Sequence, residues 1–158
     1  SILVVDDIEA NRDLLSRRLT RDGHRVSSVA GGQQALQALA NDEFDLVLLD
    51  LMMPDINGLD VLVRMKADER LRRIPVIMIT ALAETESAVR CIEAGAEDFL
   101  PKPVDHVLLR ARVNSLLARR QMRVRELEQF FPPEVARQLI DQPEVLEEGQ
   151  QTDITILF

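Results

Sequence analysis

The chain has 158 residues, which fits one domain with an appendage. Hydrophobic residues make up 46% and charged residues 29%, a balance that rules out wholesale disorder. Acidic residues outnumber basic ones 27 to 19, and the net charge of −8 argues against nucleic acid as a partner. Residues 2–5 form an unbroken apolar run that ends in Asp6-Asp7 and reads as a first strand. Residues 9–21 follow with Leu14, Leu15 and Leu19 near helical spacing, and Asp22-Gly23 ends that helix. Residues 25–29 read as a second strand closed by a Gly31-Gly32 turn, and residues 33–40 as a second helix. A third strand at 44–49 is apolar throughout Leu46-Val47-Leu48-Leu49. A helix at 57–66, a strand at 75–79, a helix at 84–93, a short strand at 98–100 and a helix from 104 onward complete the series.

Five β-α steps with continuous apolar strands imply a parallel sheet covered by helices on both faces. Right-handed crossovers then make a doubly wound α/β fold. No run approaches the roughly 18 apolar residues of a membrane span, so no membrane partner is expected. No basic leader precedes the first strand, and the single Cys91 excludes an internal disulfide and fits a cytoplasmic setting. Cys91 reads as a half-buried helix residue, and His24 and His106 as surface or rim residues.

In doubly wound sheets the ligand site lies beyond the carboxyl ends of the strands. The residues just past those ends are Asp6 and Asp7, Asp50, Thr80 and Lys102. Each aspartate alone could serve as a helix cap. All of them on one edge, opposite a lysine, point to chemistry. Clustered carboxylates raise one another's pKa unless a cation compensates, and Mg2+ suits a set of few carboxylates and waters. Three aspartates balance Lys102 and one Mg2+. A carboxylate can take up a phosphoryl group as an aspartyl-phosphate, and Asp50, after the most apolar strand, is the best placed nucleophile.

The pair Asp6-Asp7, the run Asp50-Leu51-Met52-Met53-Pro54 with Gly58, then Thr80-Ala81 and Lys102-Pro103, resemble the receiver domain of bacterial two-component response regulators. The resemblance covers about residues 2–117. It implies a flavodoxin-like, five-stranded parallel sheet of order 2-1-3-4-5. It implies Asp50 as phospho-acceptor, Asp7 as a direct Mg2+ ligand, Asp6 as a ligand through water, and the Met52 carbonyl as a further ligand. Thr80 would be the switch hydroxyl and Phe99 the aromatic that turns inward. Lys102 would meet the phosphoryl group, and its bond to Pro103 would be cis. Phe99 departs from the tyrosine often found there, so a switch through a Tyr hydroxyl is unavailable. The partner implied is a sensor histidine kinase or phosphotransfer protein. A haloacid-dehalogenase-type phosphatase fits less well, because its second aspartate would fall at Met52. A flavodoxin-type FMN module would need a phosphate-cradling loop where Asp6-Asp7 repel phosphate.

From Val104 to Gln129 there is neither Gly nor Pro. Val113, Leu117, Arg120, Val124, Leu127 and Phe131 step alternately by four and three, a coiled-coil-like seam with one basic interruption. The expectation is a helical extension at 118–131 that joins two copies as a homodimer. Six arginines from Arg110 to Arg125 decorate it and suit a helix C-terminus. Pro132-Pro133 ends the helix, and Glu134 to Ile140 is amphipathic. The stretch from Phe130 to Val135, an acidic segment, and Asp153 to Phe158 are similar to the opening of class III adenylate/guanylate cyclase domains. Residues 132–158 are therefore expected to hold a linker and the first strand of a truncated output domain. On this reading the chain is a switch rather than an enzyme, and the parent protein a cyclase. The alternative is a standalone receiver that acts by binding a protein.

Overall fold

A computed structural model describes residues 1–81 and 85–141. The elements run β1 (Ile2–Val5), α1 (Glu9–Arg21), β2 (Val26–Val29), α2 (Gly32–Asn41), β3 (Leu46–Asp50) and α3 (Gly58–Ala67). They continue with β4 (Val76–Thr80), α4 (Thr85–Glu93), β5 (Asp98–Pro101), α5 (His106–Glu128) and α6 (Pro133–Asp141). All pairings are parallel, in the order β2-β1-β3-β4-β5. The flavodoxin-like order and an extended helix after the sheet, α5, are thus both present, with the shorter α6 following it.

Side chains alternate between the two faces of a strand, and the core divides accordingly. Leu3, Val5, Val47, Leu49, Val76 and Met78 pack with Ala35 and Leu39 of α2 and with Val61, Leu62 and Met65 of α3. Ile2, Val4, Leu46, Leu48, Ile77 and Ile79 pack with Leu15 and Leu19 of α1 and with Leu109 and Val113 of α5. Strands β1, β3 and β4 are buried on both faces, which is why their sequences lack polar alternation. The edge strand β2 has exposed Ser27 and Ser28 between half-buried valines.

Several boundaries differ from the expected ones. Phe44 is buried but precedes β3, which begins at Leu46 once the Asp45 amide has bonded to the Ser1 carbonyl. Asp50 and Thr80 are the last residues of their strands, not the first beyond them. Cys91 is buried rather than half-buried, and burial pushes its thiol pKa up. His24 is half-buried, and His106 lies 3.1 Å from Asp22 with its side chain 24% exposed. Helix α5 starts at His106, where Asp105 Oδ1 accepts from the Leu108 amide.

Two compact units divide between Ala118 and Arg119. In the first unit Val113 is fully buried and Leu117 half-buried, so the first two positions of the expected seam serve the sheet's own layer. In the second, α6 starts on Pro133, a favoured first helical residue, and buries Ala136 and Leu139. The strand expected at Asp153 to Phe158 and the acidic Glu144, Glu147 and Glu148 lie outside the described residues.

Candidate functional site at the carboxyl edge of the sheet

The parallel register brings the ends of β1, β3, β4 and β5 to one edge. Val5 pairs with Leu49, Asp50 with Ile79, and Thr80 with Pro101. The next residue of β1 is Asp6, and the next after β5 is Lys102. Among the described residues the buried polar side chains are Asp6, Asp50 and Thr80, all at this edge. Burying polar groups is costly unless they are satisfied, so their concentration in one place marks a built site.

Lys102 satisfies two of them. Its Nζ lies 2.7 Å from Asp50 Oδ2 and 2.7 Å from Asp6 Oδ2. Its own backbone amide donates to the Thr80 carbonyl at 2.7 Å, and the Lys102–Pro103 peptide is cis. Asp6 also accepts from the Ile8 amide at 2.9 Å and from Asn11 Nδ2 at 3.2 Å on each oxygen. Asp50 accepts from the Met52 amide at 3.3 Å. Asp7 is exposed, and carboxylate oxygens of Asp6, Asp7 and Asp50 lie within 4.8 Å of one another.

Burial pushes the Asp50 carboxyl above the usual carboxylate range, against the opposing pull of Lys102. For Lys102, burial alone lowers the pKa, but its hydrogen bonds to Asp50 and Asp6 and their charges together outweigh it and hold the ammonium above the ordinary lysine value. The lysine therefore stays charged between the two buried carboxylates.

The loop from Asp50 to Gly58 is held at both ends. The Gly58 amide donates to the Leu51 carbonyl, and a Cβ on Gly58 would lie 2.1 Å from the Asp50 carbonyl oxygen. Asp55 accepts from the Gly32 amide at 3.1 Å and the Gln33 amide at 3.0 Å, tying the loop to the start of α2. Gly31-Gly32 is thus more than a turn: a Cβ on Gly31 would sit 2.7 Å from Asp55 Oδ2. Met52 is 59% exposed. Phe99 pairs with Met78 in the sheet and packs, half-buried, against the α2–α3 core layer.

Sequence reasoning missed Asn11, Arg12 and Asp55. The first two lie one turn into α1, where a side chain can reach back to the loop before the helix. Their spacing of four and five residues beyond Asp7 is the available signal.

The family model of the response regulator receiver domain matches residues 2–129. The chain belongs to this family. As a receiver it is 49% identical over 115 residues to the response regulator PleD of Caulobacter vibrioides, across 73% of this chain and 25% of that protein. It is 43% identical over 105 residues to the sensory/regulatory protein RpfC of Xanthomonas campestris, across 65% of this chain and 14% of that one. The chain thus spans a quarter or less of these two relatives. The receiver domain of NtrX from Brucella abortus superposes with a TM-score of 0.69 at 32% identity, covering 75% of this chain and 98% of that one. The receiver domain of a Pseudomonas aeruginosa sensor histidine kinase, with a magnesium ion in its active-site cleft, superposes equally well, at 0.69. It is 31% identical and is matched over 74% of this chain and 96% of its own. The described residues of this receiver include no helix long and apolar enough to cross a membrane.

The donor set of the receiver's acidic pocket fits a hard divalent cation. It offers only oxygens, it is net negative even with Lys102 present, and among the described residues no ion pair neutralises Asp7.

Proposed function

We propose that this receiver accepts a phosphoryl group on Asp50 from a phosphohistidine of a sensor histidine kinase or phosphotransfer protein. The supporting observation is Asp50 itself: a buried carboxylate at the end of the central strand, held by Lys102 and flanked by two further aspartates. In the transfer, an Asp50 carboxylate oxygen bonds to phosphorus while the phosphorus–nitrogen bond to the donor imidazole breaks. The electron pair leaves with the imidazole, which is protonated from solvent.

Asp7, Asp50 and the Met52 carbonyl would hold Mg2+, with Asp6 reaching it through water. Asp6 suits the indirect role because its oxygens already accept from Ile8, Asn11 and Lys102. When bound, Mg2+ supplies positive charge to the phosphoryl oxygens and so offsets repulsion by the carboxylates. Lys102 would supply positive charge to the same oxygens, and its pairing with Asp50 orients the nucleophile. Phosphorylation replaces a charge of −1 by about −2 at Asp50. Thr80 and Lys102 are then drawn to the phosphoryl oxygens, and the space Thr80 leaves admits Phe99, a shift between two populations.

The output is proposed to lie C-terminal to the receiver. A class III cyclase is the reading carried by the resemblance of residues 130–158, and a homodimer through the C-terminal helix would set two such domains side by side.

The test uses the chain with Mg2+ and acetyl phosphate. Mass spectrometry should find one phosphoryl group, mapped to Asp50, and none on Asp50→Asn. Phosphorylation of Asp50→Asn, or labelling at another aspartate, overturns the assignment.

A further inference from the structure

The loop that carries Asp6 and Asp7 is gripped by a residue outside the acidic cluster. Arg12 Nη1 donates to the Asp6 carbonyl at 2.7 Å and to the Asp7 carbonyl at 3.0 Å. One nitrogen thereby spans two successive peptides. Arg12 lies one turn into α1, so the helix holds the loop that leads into it. Asp6 has further tethers: its amide donates to the Val29 carbonyl, and its carboxylate is fixed by Ile8, Asn11 and Lys102. Asp7 lacks them. Among the described residues its hydrogen-bond partner is Arg12, through the backbone, while its side chain is exposed.

We infer that Arg12 is the positioning residue of the divalent-cation site, fixing the direction in which the Asp7 carboxylate leaves the loop. This rests on the reading that Asp7 is a direct ligand. Carbonyls that accept charge-assisted bonds resist rotation of their planar peptides, and holding those of both Asp6 and Asp7 fixes the planes on either side of the Asp7 Cα and with them the direction of its Cβ. Outer partners of this kind, acting through a ligand rather than on the metal, commonly change metal affinity by about 10-fold or more.

Arg12 exerts two opposed effects. As a clamp it preorganises Asp7 and strengthens cation binding. As a positive charge it repels the cation. The clamp predicts that Arg12→Met weakens Mg2+ binding, and a purely electrostatic role predicts that the same variant tightens it. The sign alone separates them.

The experiment titrates MgCl2 into the whole chain and follows the backbone amides of Asp7 and Ile8 by NMR, with circular dichroism confirming the folded state. Arg12→Met should raise the Mg2+ midpoint about 10-fold. Arg12→Lys, which keeps the charge and a donor but replaces the rigid planar guanidinium by a shorter, freely rotating ammonium, should fall between that variant and the wild type. Arg17→Met, on the same helix but solvent-exposed, should match the wild type. Acetyl phosphate labelling of Arg12→Met should recover towards the wild-type rate at saturating Mg2+, a recovery that general destabilisation would not give. In the metal-free protein, ¹⁵N relaxation should show Asp7 ordered in the wild type and mobile in Arg12→Met. An unchanged or lower Mg2+ midpoint in Arg12→Met, or unchanged Asp7 order, overturns the clamp. A wild type whose Asp7 amide ignores Mg2+ overturns the metal reading instead, whatever the relaxation data show for Arg12.

Discussion

Lys102 Nζ lies 2.7 Å from Asp50 Oδ2, a contact that joins positions 52 apart in the sequence. The same ammonium reaches Asp6 at 2.7 Å, so one cation offsets the repulsion between two buried carboxylates. Removing it leaves both without a counterion. Lys102→Met should therefore cost about 3 kcal/mol at neutral pH, measured by urea unfolding. Added Mg2+ should restore part of that loss, since it supplies charge to the same carboxylates. The folded-state pKa of Lys102 is raised above its ordinary 10.5. Its stabilisation is thus complete below pH 10.5 and is lost as pH rises through the higher folded value. Wild-type stability should fall in that alkaline window more steeply than that of Lys102→Met. Equal slopes would show that the pair contributes no linkage.

Asp50 has the opposite consequence. Its folded-state pKa is raised above the ordinary 3.8, chiefly by burial. Below pH 3.8 the carboxyl is protonated in both folded and unfolded chains and costs nothing. As pH rises from there to the folded value, the unfolded chain releases the proton first, and the folded state loses ground. Asp50→Asn removes that penalty. The variant should be more stable than the wild type at pH 7, and the difference should shrink as pH falls towards 3.8. Thermal unfolding at a series of pH values reads this directly; a variant less stable at pH 7 would mean that Asp50 is held mainly by Lys102.

Gly58 faces the backbone of the acceptor residue. A Cβ there would meet the Asp50 carbonyl oxygen at 2.1 Å and Leu51 Cα at 3.0 Å. Both neighbours are backbone, so no rotamer change relieves the contact and β3 or α3 must shift. Gly58→Ala should cost about 2 kcal/mol or more. It should also slow acetyl phosphate labelling of Asp50 at saturating Mg2+, because the displacement falls on the nucleophile itself. Gly23, where nothing lies within 4 Å of an added Cβ but φ is +93°, is the comparison. Gly23→Ala should lose stability through backbone strain and leave labelling unchanged.

The sheet was legible because its strands are buried on both faces: Ile2 to Val5 and Leu46 to Leu49 have no polar residue to confuse the period. The edge cluster was legible because a parallel sheet sends every carboxyl end the same way. What stayed hidden were residues acting through the backbone. Asp55 looks like an ordinary turn aspartate until the α2 amides are seen to converge on it. Arg12 reads as a solvated helix residue, since its spacing from Asp7 is a weak signal and does not by itself reveal the carbonyls behind it. The expected seam failed at its start for a related reason. A heptad spacing records that residues share a stripe, not which surface the stripe meets, and Val113 meets the receiver's own sheet.

The remaining seam positions are Arg120, Val124, Leu127 and Phe131, each half-buried, whereas Met122 and Phe130 are 62% and 78% exposed. We propose that this stretch still joins two copies, since half-covered Val124 and Leu127 retain apolar area to bury against a symmetry mate, and a two-fold dimer is the commonest such solution. Arg120 on the stripe weakens the contact, which suits a dimer that phosphorylation can adjust. Light scattering should give a dimer mass. Leu127→Glu should give a monomer with Asp50 labelling unchanged, because Leu127 lies outside the unit that holds the acidic edge. Met122→Glu reads the exposed side of the same helix and should leave the mass unchanged. If Met122→Glu gives the monomer and Leu127→Glu does not, the interface lies on the exposed side and the stripe is covered within its own chain. A wild-type monomer at high micromolar concentration would remove the helix from any interface.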